Sequence, residues 1–232
     1  MGPRRLPAAV LAAAEDRSGG ALEVAATAVD GLLEVAADPA LLEEAAGVLL
    51  AGQPAMAPIW HLAAAARGRD PTAALTDLRR RLQADAEAAV TTATTWLRAH
   101  QATPDSVATV SHSSLVDRVL ATLGQRPWAR DGPPSSVRNV ASRVGVVGAD
   151  AIGPAGLLNA VGTRELAGRV PTLVVATAVK LVPAEVFERL GGPGFEVVPL
   201  EATAAVVVGP EVLSPAEAGR RARDLALSRG RP

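Results

Sequence analysis

The sequence predicts an α/β protein, in which an N-terminal all-helical domain is followed by a small Rossmann-like domain with a doubly wound, mainly parallel sheet. Up to about residue 100 the chain is rich in Ala and Leu at helical spacing and shows no strand pattern. After Thr103-Pro104-Asp105, short β-branched runs alternate with helical segments, which is typical of parallel sheets with right-handed crossovers. We predict a helical domain over residues 1–103 and an α/β domain over residues 104–232.

The helical half should contain five helices, because apolar residues recur there at positions i, i+3, i+4 and i+7. Asp38-Pro39 and Asp70-Pro71 each place an N-cap acceptor before a proline at the first helical position. Gly52-Gln53-Pro54 separates the third helix from the fourth. We predict helices over residues 6–14, 21–37, 40–51, 57–66 and 72–100.

The α/β half centres on residues 144–183, where the order is strand, glycine-rich turn, crossover helix and strand. The first strand covers residues 144–147, the turn is Gly153–Gly156, and the second strand covers residues 172–177. Ser214-Pro215-Ala216-Glu217 is a capping box that opens a final helix ending near residue 228. The other predicted elements are a strand over 107–111, a helix over 115–123, a loop over 125–134, a helix over 135–143 and strands over 195–199 and 204–208.

Composition limits the classes of function. The 232-residue chain carries 23 basic and 24 acidic residues, so its net charge favours neither nucleic acid nor an anionic membrane as a partner. It has no cysteine, which excludes disulfides and thiolate metal sites and fits a cytoplasmic protein. The three histidines lack metal-ligand spacing, the glycine turn is not G-x-G-x-x-G, and no apolar run reaches membrane-spanning length. We expect no metal, no cofactor and no membrane.

Candidate ligand-binding residues follow the predicted strands, because open α/β sheets bind ligands beyond the carboxyl ends of parallel strands. Ser111, Ser113 and Ser114 precede a predicted helix, where they either hold an anion at its N-terminus or cap the helix. Asp150 either orients a ligand hydroxyl or caps the turn. Lys180 is the only lysine in the chain, and it is either a phosphate contact or a surface residue.

His112 is a candidate general base because its reference pKa lies near neutrality. A hydrolytic triad would need Ser111 or Ser113 as nucleophile and Asp150 as acid, but no nucleophile-elbow pattern surrounds these serines. His112 and Asp150 therefore remain weak catalytic candidates.

Four strings occur in an order that resembles one protein family: ATVSHSSLVDRVLATL, VVGADAIGPAGLLNAVGT, VVATAVKLVP and VVPLEATAAVVVGPEVLSP. The family contains the alpha, beta and delta subunits of translation initiation factor 2B, ribose-1,5-bisphosphate isomerase and methylthioribose-1-phosphate isomerase. The resemblance covers about residues 107–215. It implies a helical domain on a Rossmann-like domain, a sugar-phosphate crevice to which Asn159 and Thr163 also contribute, and pairing through the α/β domain.

The same resemblance implies that the isomerases' catalytic groups are missing. Aligned on Gly162-Thr163, the family's catalytic aspartate falls on Gly156, and aligned on Thr109, its cysteine falls on Ser111. Glycine cannot accept a proton, and an unassisted serine hydroxyl is a poor acid or base. The Asn-Lys pair is reduced to Asn159-Ala160, and an arginine of the phosphate contact is absent at Gln53-Pro54. The interval between Gly124 and Val144 is too short for the family's further α/β step, so a truncated sheet is expected.

Three hypotheses remain. The first is a noncatalytic protein of this type that binds a phosphorylated sugar or nucleotide, or a partner such as a second copy or a related subunit. The second is an aldose-ketose isomerase that uses Asp150 with His112 or Lys180. The third is a purely structural dimer subunit.

Overall fold

A computed structural model describes residues 5–110, 112–124 and 143–229. Its first half is helical, as predicted, and Asp38 and Asp70 cap their helices by accepting the N–H groups of Leu41 at 3.3 Å and Ala73 at 3.0 Å. The prolines that follow both caps occupy the first helical position, where a missing N–H costs nothing. The five helices are α1 (Ala8–Glu15), α2 (Ala21–Glu34), α3 (Pro39–Gly52), α4 (Ala57–Ala66) and α5 (Pro71–Ala99).

The second half begins at Val107, and its elements alternate between strands and helices. Two short 3-10 turns there matter for the site and for the packing, Ala178–Lys180 and Leu200–Ala202. In chain order the other elements are β1 (Val107–Ala108), α6 (Ser114–Thr122), β2 (Val144–Val147), β3 (Ala151–Ile152), β4 (Gly156–Ala160), α7 (Thr163–Arg169), β5 (Thr172–Ala176), α8 (Ala184–Phe187), β6 (Phe195–Pro199), β7 (Ala205–Val208), β8 (Glu211–Leu213) and α9 (Pro215–Arg229).

The main sheet has the strand order β1-β2-β5-β7-β8, with every neighbouring pair parallel except the final hairpin β7-β8. Helix α5 covers one face through its C-terminal half, where Ala89, Ala93 and Leu97 belong to the same apolar cluster as sheet residues Val146 and Val207. Helices α7 and α9 pack with the other face. This doubly wound, mainly parallel arrangement confirms the predicted fold class.

Helix α5 belongs to two hydrophobic cores. Its N-terminal residues Leu75, Leu78 and Leu82 pack with helices α1 to α4, whereas its C-terminal half packs on the sheet. The change from helices to strands falls between the end of α5 and β1. One 29-residue helix thereby joins the helical layer to the sheet.

A second, three-stranded antiparallel sheet was not predicted. It has the order β3-β4-β6, in which Leu157 pairs with Val198 and Asn159 pairs with Glu196. The sequence interpretation took the segment after the glycine turn directly into a crossover helix, but strand β4 comes first and the helix begins only at Thr163. Residues 195–199 form the predicted strand in this second sheet. Its partner lies about forty residues away in sequence, which local periodicity cannot identify.

Several predictions fall on residues that lie outside the described ranges. These are Ser111, the loop over 125–134, nearly all of the helix over 135–143, and the lost strand between Gly124 and Val144. Ser214 and Glu217 form the predicted capping box at the start of α9, with the Ser214 N–H donating to Glu217 at 2.8 Å. None of the described helices is both long and apolar enough to cross a membrane.

Candidate functional site

A cleft lies at the carboxyl ends of the parallel strands β1, β2 and β5, because the segments that follow these strands all reach the same edge of the sheet. His112 and Ser113 follow β1, Asp150 follows β2, and Thr177 and Lys180 follow β5. All five line one narrow pocket of about 40 Å³. The sheet topology therefore gathers residues that are far apart in the sequence.

The narrow pocket adjoins an outer cleft of about 600 Å³, with which it shares Ala21, His112 and Asp150. Residues 16–21 and 51–56 of the helical layer and residues 191–195 form the walls of the outer cleft. The buried side chain of Gln53 orders the first of these walls, because its Nε2 donates to the carbonyls of Ala13 and Asp16 at 2.7 Å. The outer cleft has room for a sugar phosphate or a nucleotide, whereas the narrow pocket admits only a small group.

Asp150 and Lys180 form a buried pair that lines the narrow pocket. Lys180 Nζ lies 3.9 Å from Asp150 Oδ1, and the lysine residue is only 5% exposed. Burial lowers the pKa of Lys180 to about 8, although Asp150 opposes this shift. Burial also raises the pKa of Asp150, against the opposing effect of the lysine charge. The pair thus contains an amine that is partly neutral near neutral pH and a carboxyl group that retains its proton more readily than usual.

Two helix N-termini meet at the narrow pocket. Ser113 caps α6 by accepting the Val116 N–H at 3.5 Å, and Gly20 is the N-cap residue of α2. The two caps are so close that a Cβ built on Gly20 would lie 3.3 Å from the backbone nitrogen of Ser114. Gly148 permits a similarly close approach, because its Cβ would lie 2.7 Å from Ser113 Oγ. The N-termini of α2 and α6 therefore lie next to each other at the pocket, and each carries a partial positive charge.

Three further polar side chains complete the pocket. Thr177 is 1% exposed, and its hydroxyl has no hydrogen-bond partner in the described part of the protein. Asn159 is buried, and its Nδ2 donates to Thr163 Oγ1 at 3.0 Å, which fixes the orientation of the amide. His112 Nδ1 lies 2.9 Å from Asp117 Oδ2. A buried hydroxyl without a partner is costly.

The structure brings together most of the residues that the sequence indicated. The predicted candidates that line the narrow pocket are His112, Ser113, Ser114, Asp150, Asn159 and Lys180. Thr163 does not line it and instead supports Asn159, while its hydroxyl donates to the Ala160 carbonyl at 2.7 Å. The alternative in which Ser113 caps its helix is observed. The anion-binding alternative is not tested by this geometry.

Gly156 is placed apart from the narrow pocket and the outer cleft, at the start of β4. A Cβ there would meet Val197 at 2.9 Å and the Val198 carbonyl at 3.1 Å. The turn that contains Gly153 closes the β3-β4 hairpin through a hydrogen bond from Gly153 N–H to the Gly156 carbonyl at 2.8 Å. The predicted position of this turn on the rim of the site is therefore not observed, because the turn joins strands of the second sheet.

Sequence reasoning missed three contributors to the site, namely Thr177, the N-terminus of α2 at Gly20, and residues 191–194. The available signals were the position of Thr177 at the end of an apolar strand, the Gly19-Gly20 pair before a helix, and the Gly-Gly-Pro-Gly run. Each signal is common in loops and becomes informative only when the topology brings the segments together. Within the described ranges, no group of three or more His, Cys, Asp or Glu side chains is placed to hold a metal ion.

Comparison with known proteins identifies the fold. No protein-family model and no curated protein sequence matches the chain. Among solved structures, the translation initiation factor eIF-2B of Pyrococcus horikoshii OT3 matches with a TM-score of 0.65 and 17% identity, over 92% of this chain and 98% of that one. A tetrameric eIF2B-beta2-delta2 complex from C. thermophilum matches with a TM-score of 0.64 and 13% identity, over 93% and 92% of the two chains.

An isomerase has the same arrangement of elements. The 5-methylthioribose 1-phosphate isomerase of Pyrococcus horikoshii OT3 matches with a TM-score of 0.54 and 13% identity, over 94% of this chain and 87% of that one. The order of the sequence motifs and these structural likenesses agree. The chain has the fold shared by initiation factor 2B subunits and 5-methylthioribose-1-phosphate isomerase.

Proposed function

We propose that this protein is an initiation factor 2B-like, noncatalytic protein that binds a small phosphorylated sugar or nucleotide in the cleft. The observation that carries the proposal is the convergence of two helix N-termini with the unpartnered hydroxyl of Thr177 and the Asp150–Lys180 pair. A phosphate satisfies the backbone N–H groups of helix N-termini and the partial positive charge there. The neighbouring carboxyl and amide groups suit sugar hydroxyls.

The charges around the cleft decide which part of a sugar phosphate each group would bind. A dianionic phosphate is best placed in the outer cleft, beside the N-termini of α2 and α6, because these helix ends carry a partial positive charge. Asp150 and Asn159 then face the sugar, where a carboxylate can accept a hydroxyl proton and a fixed amide can donate or accept. The chain thus has polar groups for both ends of a sugar phosphate.

The noncatalytic part of the proposal rests on the residues that replace the isomerases' catalytic pair. The chain contains no cysteine, and residue 156 is a glycine. A second candidate function, an aldose-ketose isomerase with a different acid/base set, is favoured by one observation: burial raises the pKa of Asp150 in the direction expected of a proton-transfer group. Conversion of an aldose phosphate to its ketose, and loss of that conversion in Asp150→Asn, would support this alternative.

Partner binding through the α/β half is the second element of the proposal. Val161 and Val197 are 47% and 46% exposed at the β4-β6 side of the second sheet, and β6 is an edge strand among the described residues. Exposed apolar side chains at the edge of a sheet suit a protein interface. A second copy or a related subunit would cover them, as a purely structural dimer would also require. Light scattering of the wild type and of Val197→Lys tests this, and a monomeric wild type would contradict it.

A thermal-shift panel tests whether the protein binds a phosphorylated ligand. Ribose 5-phosphate, ribose 1,5-bisphosphate and nucleoside monophosphates are each added to the wild type, and a ligand at a hundredfold excess over its Kd should stabilise the fold by about 2.7 kcal/mol. For a chain of this length that corresponds to a melting shift of several degrees, roughly 5–10 °C.

Two variants accompany the panel. Asp150→Asn should reduce the shift, because it removes a sugar-facing carboxyl group from the pocket. Asp77→Asn on the exposed surface of α5 should leave it unchanged. A melting temperature that no phosphorylated ligand moves would refute ligand binding and favour the structural-dimer reading.

A further inference from the structure

We propose that Lys180 captures the open-chain aldehyde of a phosphorylated aldose as a reversible imine, with Asp150 as the acid that assists the loss of water. The inference rests on the proposed function, because the phosphate holds the sugar in the cleft. It goes further in assigning a covalent step to the pocket and in selecting aldoses over ketoses and over nucleotides that lack a free aldehyde.

The position of Lys180 supports this role. Lys180 is buried and lines a pocket of about 40 Å³, which shares Ala21, His112 and Asp150 with an outer cleft of about 600 Å³. Only a narrow end group can reach it, and the terminal aldehyde of an extended sugar phosphate has that size. With the phosphate in the outer cleft beside Gly20 and Ala21, the opposite end of the molecule is the part that can extend into the narrow pocket towards the lysine.

The protonation state of the Lys180 amine also supports imine formation. An imine requires a neutral amine, and an ordinary lysine with a pKa of about 10.4 is only about 0.1% neutral at pH 7.5. Burial lowers the pKa of Lys180 to about 8, which makes roughly a quarter of the amine neutral at that pH. The other titratable side chains that line the pocket are Asp150 and His112, and Asp150 is the group closest to the amine at 3.9 Å.

The step balances without a co-reactant. The Nζ lone pair attacks the aldehyde carbon while the carbonyl oxygen takes a proton from the Asp150 carboxyl group, and the nitrogen returns one proton to the carboxylate. Asp150 then protonates the resulting hydroxyl group, which leaves as water as the nitrogen lone pair forms the C=N bond. The products are a protonated imine, one water molecule and the Asp150 carboxylate, which is paired with the new positive charge.

The composition of the chain makes the test unusually clean. Lys180 is the only lysine in the sequence, so it and the N-terminal amine are the only primary amines. Wild type is incubated with ribose 5-phosphate and cyanoborohydride, and its intact mass is measured. We expect one adduct equal to the sugar phosphate less one oxygen atom, located at Lys180 by peptide mapping. Lys180→Arg should show only the background at the N-terminus, and Asp150→Asn should slow trapping by at least about tenfold.

Ribitol 5-phosphate, which has the phosphate but no aldehyde, separates the two proposals. If it shifts the melting temperature and competes with trapping at Lys180, both proposals stand. If it shifts the melting temperature but ribose 5-phosphate leaves Lys180 unmodified, the imine is refuted and ligand binding stands. If it does neither while Lys180 is still trapped, the lysine is merely reactive, and both the proposed function and selective capture are refuted. Absence of both a shift and trapping refutes both proposals.

Discussion

The buried lysine should make the protein more stable as the pH rises above neutrality, which is unusual for a folded chain. The pKa of Lys180 is lowered from 10.5 to about 8 in the folded protein, so between these values the unfolded chain binds a proton that the folded chain does not. The free energy of unfolding increases with pH wherever the unfolded state binds more protons. Deprotonation of Lys180 therefore favours the fold.

The size of the effect follows from the two pKa values. A full difference of one proton contributes about 1.4 kcal/mol per pH unit. With pKa values of about 8 and 10.5, integration from pH 7 to pH 9.5 predicts a gain of about 2 kcal/mol in the free energy of unfolding. Lys180 is almost completely buried, so solvent screening does not reduce this figure as it would for an exposed amine.

Urea unfolding at pH 7, 8, 9 and 9.5 measures the gain, with Lys180→Met as the matched variant. The chain has no cysteine and no tyrosine, so few other groups titrate in this range, and the N-terminal amine is common to both proteins. The gain should be present in the wild type and absent from the variant. In Asp150→Asn it should begin at a lower pH, because the carboxyl group that raises the pKa of Lys180 is gone. A wild type whose stability is flat or falls over this range, or a variant with the same slope, would show that Lys180 is not held in a desolvated position.

Three other predictions test the packing and the site. Gly47→Ala should stabilise helix α3 by up to about 1 kcal/mol in urea unfolding, because nothing lies near the new methyl group. Gly52→Ala in the same helix should instead cost more than about 2 kcal/mol, because its Cβ would clash with a backbone carbonyl of α1. Equal effects of the two substitutions would contradict this packing. Thr177→Val should raise the stability of the unliganded protein by about 1 kcal/mol, since it removes a buried hydroxyl without a partner. The same substitution should weaken ribose 5-phosphate binding measured by calorimetry. An unchanged affinity would show that Thr177 does not belong to the ligand site. Asp85→Ala should lower the free energy of unfolding by about 1 kcal/mol, because the Asp85 carboxylate accepts the first N–H of the turn after β5 at 3.3 Å. Asp77→Ala, on the exposed side of the same helix, should change the free energy of unfolding by less than about 0.5 kcal/mol. A similar loss in both variants would contradict the role of Asp85 in holding the turn.

The edge of the sheet that carries the site could be predicted from the sequence because the rule behind it is local. Asp150 and Lys180 each follow a recognisable apolar strand, and parallel strands end at a common edge, so their approach required only the correct topology. His112 and Ser113 were found for the same reason, since they follow the first strand of the α/β half. The distance of 3.9 Å between the lysine and the carboxylate depends on packing that periodicity does not encode.

The second sheet could not be predicted, and its absence from the sequence interpretation affected the view of the site. Leu157 and Leu158 read equally well as part of a buried helix, and their strand partners Val198 and Val197 are about forty residues further on. Because strand β4 forms, Gly156 faces Val197 and not the cleft, while Asn159 reaches the pocket and Thr163 stays behind it. The choice between helix and strand in this segment therefore decides which side chains can meet a ligand.

The cleft is formed by both halves of the chain, and this has a thermodynamic consequence. Gly20 and Gln53 belong to the helical layer, whereas Ser113 and Lys180 belong to the α/β half. Helix α5 contributes to both hydrophobic cores, and Asp85 in its middle holds the turn that leads to Lys180. A ligand that contacts both walls binds only when the two halves are packed together, so its binding energy stabilises their contact as well as each half. Ligand binding should therefore raise the stability of the helical layer and of the sheet by the same increment, in a single unfolding transition.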